Sequence, residues 1–181
     1  MCFVLVAYAT RHGSTSSIAQ RITDRLTEHG HRVELRDVGG IGNVWQYDAA
    51  LVGSAIHNGD WLPESAEFLH RYARPLADRP LWLFSVGFTP QVAGRRGRWL
   101  ARHTPDPRAI EVDRDFLTPR DVHWFAGVLT PSHIPLRAWP LLWMVGGRFG
   151  DRRDWDAVDT WANGIAEKLD VLDADLGADT E

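Results

Sequence analysis

The residues best suited to chemistry lie near the N-terminus, in Thr10-Arg11-His12-Gly13-Ser14-Thr15. Thr10, Ser14, Thr15, Ser16 and Ser17 surround a single glycine there. A helix cap needs only one such hydroxyl. Five of them around a glycine suit a phosphate: the glycine lets the backbone approach, the hydroxyls donate, and the first amides of a following helix have no intrahelical partner. A helix N-terminus favours an anion by only about 0.3–1 kcal/mol when exposed, so the hydroxyl and amide hydrogen bonds must supply most of the grip. The loop lacks the lysine of a P-loop and the G-x-G-x-x-G spacing of a dinucleotide turn. Two further stretches carry polar groups and glycines after apolar runs, Ser54-Ala55-Ile56-His57-Asn58-Gly59 and Ser85-Val86-Gly87-Phe88. His57 is the one histidine placed to donate to a ligand or shuttle a proton near neutral pH. His29 and His31 flank a turn, where solvation is expected. No histidine spacing suits a metal, nothing resembles a G-x-S-x-G elbow, and no catalytic acid or base is identifiable.

The elements around these loops read as alternating strands and helices. Phe3–Tyr8, 48–53 and 80–86 are short apolar runs of the kind a sheet buries on both faces. His31–Leu35 is more polar and so nearer an edge, and His123–Leu129 makes a fifth strand. Ile18, Ala19, Ile22 and Leu26 recur at helical spacing, with Gly30 closing that helix. Pro63 opens another, with Leu62, Ala66, Leu69 and Ala73 on its inner face. Ser54–Trp61 is expected as a loop turning at Gly59. A short helix is expected around Trp99 and Leu100. The last helix runs from about Asp154 to Leu169. The predicted fold is α/β, a doubly wound five-stranded parallel sheet of order 2-1-3-4-5. Residues 1–170 form one domain, and 171–181 a frayed acidic tail. The ligand belongs beyond the carboxyl ends of strands 1, 3 and 4, where the three loops converge.

Composition sets the outer limits. The 181 residues suffice for one domain with a substantial core. A net charge of -4 does not indicate nucleic-acid binding. The single cysteine, Cys2, forms no internal disulfide and sits at the start of a buried strand. Neither a signal peptide nor an apolar run of spanning length is evident, so the cytoplasm is the expected location.

Thr10-Arg11-His12-Gly13-Ser14-Thr15 resembles the T-x-x-G-x-T phosphate loop of flavodoxins, the type example of the 2-1-3-4-5 order with FMN at its switch point. More narrowly, Val52-Gly53-Ser54-Ala55-Ile56 with Gly59, Phe84-Ser85-Val86, Phe125-Ala126-Gly127, Gly146-Gly147 and Asp154-Trp155 resemble the flavodoxin-like, quinone-dependent protoporphyrinogen IX dehydrogenases. These matches cover most of the chain, apart from 91–122. The resemblance implies that Thr10, Arg11, His12, Gly13, Ser14 and Thr15 hold the FMN phosphate. Ser54, Ala55, Ile56, His57, Asn58 and Gly59 would run along the isoalloxazine, and Ser85, Val86, Gly87 and Phe88 would cover its other side. The chain departs from the subgroup at His57-Asn58, where arginine and an aromatic residue are usual, and at Gly87, where a larger polar residue is. Trp61 or Phe88 could supply the missing aromatic stacking.

Two stretches bear on partners. Gly94–His103 carries four arginines and no acid, which suits carboxylates, such as porphyrin propionates, or anionic headgroups, as well as a solvated face. Ile134–Phe149 is rich in tryptophan and apolar residues, suiting either core packing or a docking face at the inner surface of the cell membrane. The expected function is an FMN-dependent oxidoreductase passing electrons from a reduced small-molecule donor, such as a porphyrinogen, to a quinone. The alternatives are a flavodoxin-type electron carrier, or a fold relative without FMN that acts as an interaction protein.

Overall fold

The computed structural model describes residues 1–87, 107, 108, 110, 116–131 and 149–178. Phe88, the arginine run, the expected helix at Trp99 and all of Ile134–Phe149 except its last residue lie outside them.

Strands β1 (Phe3–Ala9), β2 (Arg32–Asp37), β3 (Ala49–His57), β5 (Leu81–Val86) and β6 (Asp121–Phe125) form a parallel sheet of order β2-β1-β3-β5-β6. This is the predicted doubly wound order, with a two-residue β4 (Asp60–Trp61) paired antiparallel to the end of β3. The apolar strand runs are buried because alternate residues feed opposite faces. Leu5, Ala7, Ala50, Val52, Leu81 and Leu83 enter one core, beneath helices α2 (Pro63–Arg71) and α3 (Ala73–Ala77). Val4, Val6, Ala49, Leu51, Trp82 and Phe84 enter the other. That second core is covered by α1 (Ser14–Glu28) and α4 (Trp155–Ala178). Ile18, Ala19, Ile22 and Leu26 of α1 are fully buried there, as their spacing predicts. Gly30, at φ +89°, ends α1, with the His31 amide reaching back to the Leu26 carbonyl. Arg21 and Arg25 both pair with Asp159, tying α1 to α4.

Several boundaries differ from the sequence reading. β3 runs on to His57 rather than ending at Gly53. The fifth strand stops at Phe125, and Val128–Leu129 (β7) instead pairs antiparallel with Gly150–Asp151 (β8). The intervening Ala126-Gly127 breaks the run: the Gly127 carbonyl accepts from the Arg152 amide, and Gly87 donates to the Phe125 carbonyl. α4 continues to Ala178, beyond the Leu169 at which the last helix was expected to end. His31 is buried rather than solvated, its Nε2 3.5 Å from Asp170, because the α1 turn folds it beneath α4. Among the described residues no helix is long and apolar enough to cross a membrane.

Candidate phosphate and cofactor site

The strand order reverses between β1 and β3, so a crevice opens at their carboxyl ends. Register sets what lines it. Ala9 lies beside Ser54, Ser54 beside Ser85, and Ala55 beside Val86. The three loops picked out in the sequence therefore leave the sheet side by side.

In the first loop Gly13 adopts φ +84°, a left-handed conformation that glycine takes at no steric cost. It is the N-cap of α1 with no side-chain cap. The first helical bond runs from the Ser17 amide to the Gly13 carbonyl. The amides of Ser14, Thr15 and Ser16 precede it and have no carbonyl partner within the helix. The five hydroxyls are not equivalent. Thr10 Oγ1 accepts from the Gly13 amide at 3.0 Å, closing the loop. Ser16 and Ser17 turn back to the carbonyls of Gly13 and Ser14. Ser14 Oγ accepts from the Val128 amide at 3.2 Å and keeps its own proton to donate. Thr15 Oγ1 is buried with no hydrogen-bond partner among the described residues. A buried hydroxyl without a partner costs roughly 1–3 kcal/mol. A phosphate oxygen within hydrogen-bond reach of it would satisfy it. Arg11 and His12 are exposed at the rim.

The second loop is a β-hairpin rather than an irregular loop. Asn58 at φ +54° and Gly59 at φ +86° form its turn, the positive pair that a two-residue hairpin requires. The Asn58-Gly59 dipeptide carried this signal in the sequence. Asn58 is therefore at this position for a backbone reason. Ser54 and Ser85 have fully buried side chains whose hydroxyls are committed within the protein. Ser54 Oγ accepts from the Leu62 amide at 3.0 Å, and Ser85 Oγ from the indole of Trp61 at 2.8 Å. They hold the hairpin to β5. Both side chains are thereby tied to the protein itself. Trp61 is likewise buried rather than free to stack. Ile56, His57, Asn58 and Gly59 remain accessible along the crevice. Gly87 has a steric explanation, since a Cβ there would meet the Ile56 Cβ at 3.0 Å.

The sequence reading missed a third contributor. Asp151 and Arg153 form a multiply bonded ion pair, and Arg153 Nη1 donates to Ser17 Oγ at 2.8 Å. Arg153 also stacks 4.8 Å from the Trp155 ring. The guanidinium hydrogen bonds hold the Asp151 carboxyl down at about 2. A depressed folded value stabilises the pair above the ordinary aspartate range, near 4. That contribution is lost as pH falls through about 2. Asp151 is half exposed, so the gain is small. A carbon-13 NMR titration should find its midpoint near 2; a midpoint near the ordinary value would mean that the pair does not form in solution.

Comparison with known proteins agrees with this geometry. The model of the flavodoxin domain family matches residues 5–138, most of the chain. The chain belongs to the flavodoxin family. A flavodoxin of Nitratidesulfovibrio vulgaris (strain Miyazaki F) is 31% identical over 75 residues, which are 40% of this chain and 51% of that protein. The chain thus spans about half the length of this curated relative. Among solved structures, a flavodoxin from the domain Archaea superposes with a TM-score of 0.60 at 14% identity, covering 93% of this chain and 99% of its own. Oxidised flavodoxin 2 of Bacillus cereus gives 0.55 at 21% identity, covering 91% and 98%. Rubredoxin:oxygen oxidoreductase of Desulfovibrio gigas gives 0.53 at 19%, covering 93% of this chain and 36% of that one. At these identities the superpositions establish the fold. FMN is the cofactor of the family, and the Thr10–Thr15 loop fits its phosphate.

Proposed function

We propose that this flavodoxin-family chain is an FMN-dependent oxidoreductase that takes electrons from a reduced organic donor and delivers them to a quinone, with a porphyrinogen as the donor class. The observation that carries FMN binding is the buried, unpartnered Thr15 hydroxyl beside the open amides of Ser14–Ser16. FMN supplies the electron-transfer chemistry. Thr10, Ser14 and Thr15 would hold its phosphate, Gly13 gives the backbone room to approach, and the Asn58-Gly59 turn would lie along the ring. The hydrogen bonds of Ser54 and Ser85 keep that turn in register. The resemblance of the C-terminal Asp154-Trp155 and Phe125-Ala126-Gly127 to the quinone-dependent subgroup supports the enzyme reading. Reaction with a membrane-dissolved quinone would bring the chain to the inner face of the membrane as a peripheral visitor.

An electron carrier is the second reading, since the fold and family suit it equally. The described rim offers Arg11, His57 and Asn58, all exposed, where a carrier of this kind would present acidic side chains to a basic partner. The test starts with FMN titration of the purified chain. It continues with anaerobic mixing with protoporphyrinogen IX and reoxidation by a menaquinone analogue. Bleaching of the flavin band by the donor and its return with the quinone are expected. A chain that takes up FMN yet reacts with neither, while exchanging electrons with redox proteins in a salt-dependent way, would be a carrier. A chain that takes up no FMN would overturn both readings.

A further inference from the structure

Three segments far apart in the chain meet behind the phosphate loop. Ser14 accepts from the amide of Val128 in β7, and Ser17 accepts from Arg153, just past β8. Ser17 in turn donates to the Ser14 carbonyl at 2.8 Å. Gly127 lies close enough that a Cβ there would meet the Ser14 Cβ at 3.5 Å. The β7–β8 ladder, pairing Val128 with Asp151, joins the two contacts into one unit. Asp151 orients the guanidinium through its Nε and backbone amide, and the Trp155 ring packs against it.

Resting on the FMN reading above, we propose that Arg153 is a positioning residue for the phosphate. Through Ser17 it fixes the first turn of α1, so that affinity for the phosphate group depends on the docked β7–β8 hairpin. The physical reasons are two. The loop has no lysine, and Arg153 is bonded at Ser17 to the first turn of α1 that follows it. An arginine also suits this place because its planar fork bonds Ser17 and Asp151 at once, which a lysine ammonium cannot reproduce. The hydrogen-bond chain Arg153–Ser17–Ser14 holds the amides and the Ser14 hydroxyl in the geometry that an anion needs, and the residual positive charge lies behind it.

The distinguishing property is selectivity for the phosphate end of the ligand. Dissociation constants for FMN and riboflavin, which differ only in that phosphate, should be measured by flavin fluorescence on the full chain, with Arg153→Gln and Ser17→Ala beside the wild type. Both variants are expected to weaken FMN by about fivefold or more and to leave riboflavin unchanged, and the double variant to lose no more than Arg153→Gln alone. The Val128 amide and Arg153 Nε resonances of the wild type should shift with FMN and not with riboflavin. Equal losses for both ligands would make Arg153 a general fold contact and overturn the proposal, as would unchanged FMN affinity. If Arg153→Gln does not fold, Ser17→Ala decides, because it removes the same contact with a smaller change. A wild type with no preference for FMN over riboflavin would instead remove the phosphate site itself.

Discussion

Replacing Thr15 with valine should move cofactor affinity and protein stability in opposite directions. Valine keeps the shape of threonine and removes only the hydroxyl, which is fully buried and has no partner among the described residues. Without ligand, the wild type bears the cost of that unsatisfied group, roughly 1–3 kcal/mol. The variant is relieved of it, so the melting temperature of the flavin-stripped protein should stay level or rise. With FMN present, the same hydroxyl would make a charge-assisted bond to phosphate oxygen, worth about 1.5–3 kcal/mol. FMN affinity should therefore fall roughly ten- to hundredfold. Calorimetric unfolding of the stripped protein and flavin titration read the two effects separately. A fall in both would show the hydroxyl to be structural, and a fall in neither would remove Thr15 from the site.

A second large effect is expected at Gly53, in the centre of β3. A Cβ there would lie within 2.5 Å of three ring atoms of Phe84 on the neighbouring strand. That ring has nowhere to go. Phe84 is fully buried and packs edge-on against Phe125 and Trp161, at centroid distances of 6.2 and 5.9 Å. Overpacking a well-filled core costs about 1–3 kcal/mol and sometimes more, and here the obstacle is a buried aromatic ring on the adjacent strand. Gly53→Ala should lose about 3 kcal/mol, lowering the midpoint by roughly 6–12 °C for a chain of this size. Because the clash is with one ring, Phe84→Leu should recover part of the loss in the Gly53→Ala background while being destabilising by itself. Strictly additive losses in that double-mutant cycle would show that the Phe84 ring is not the obstacle. Since β3 and β5 also carry Ser54 and Ser85, the same clash should loosen the Asn58-Gly59 hairpin and weaken flavin binding.

The two glycines thus serve different needs, and only one of them was readable in advance. Gly13 stands in a loop whose hydroxyls announce its use, and its left-handed conformation follows from the strand-to-helix turn. Gly53 looks like any residue of an apolar strand until the partner across the sheet is known. The serines show the same division. Ser14 and Ser54 each accept from a backbone amide, yet one partner is Val128, 114 positions away, and the other is Leu62, eight positions away. Residue type says that a hydroxyl can bond; it does not say to which neighbour.

By itself, the sequence determined the features that depend on local periodicity and on groups close in the chain. The apolar runs specified the buried strands, and the i, i+4, i+8 spacing specified the inner face of α1. The alternation of strands and helices specified the parallel doubly wound sheet, and Gly13 specified the turn from β1 into α1. These follow from the helical and strand periods and from short-range backbone sterics, which act within a few residues. Tertiary structure alone decided which hydroxyls stay unspent, because a hydroxyl is committed only when its neighbours in space are in place. It buried His31 under α4, seated Trp61 on Ser85, and brought Arg153 to Ser17 across 136 positions of chain. Contacts of that separation depend on how the strands are ordered and how the helices cover them, and no local pattern encodes them.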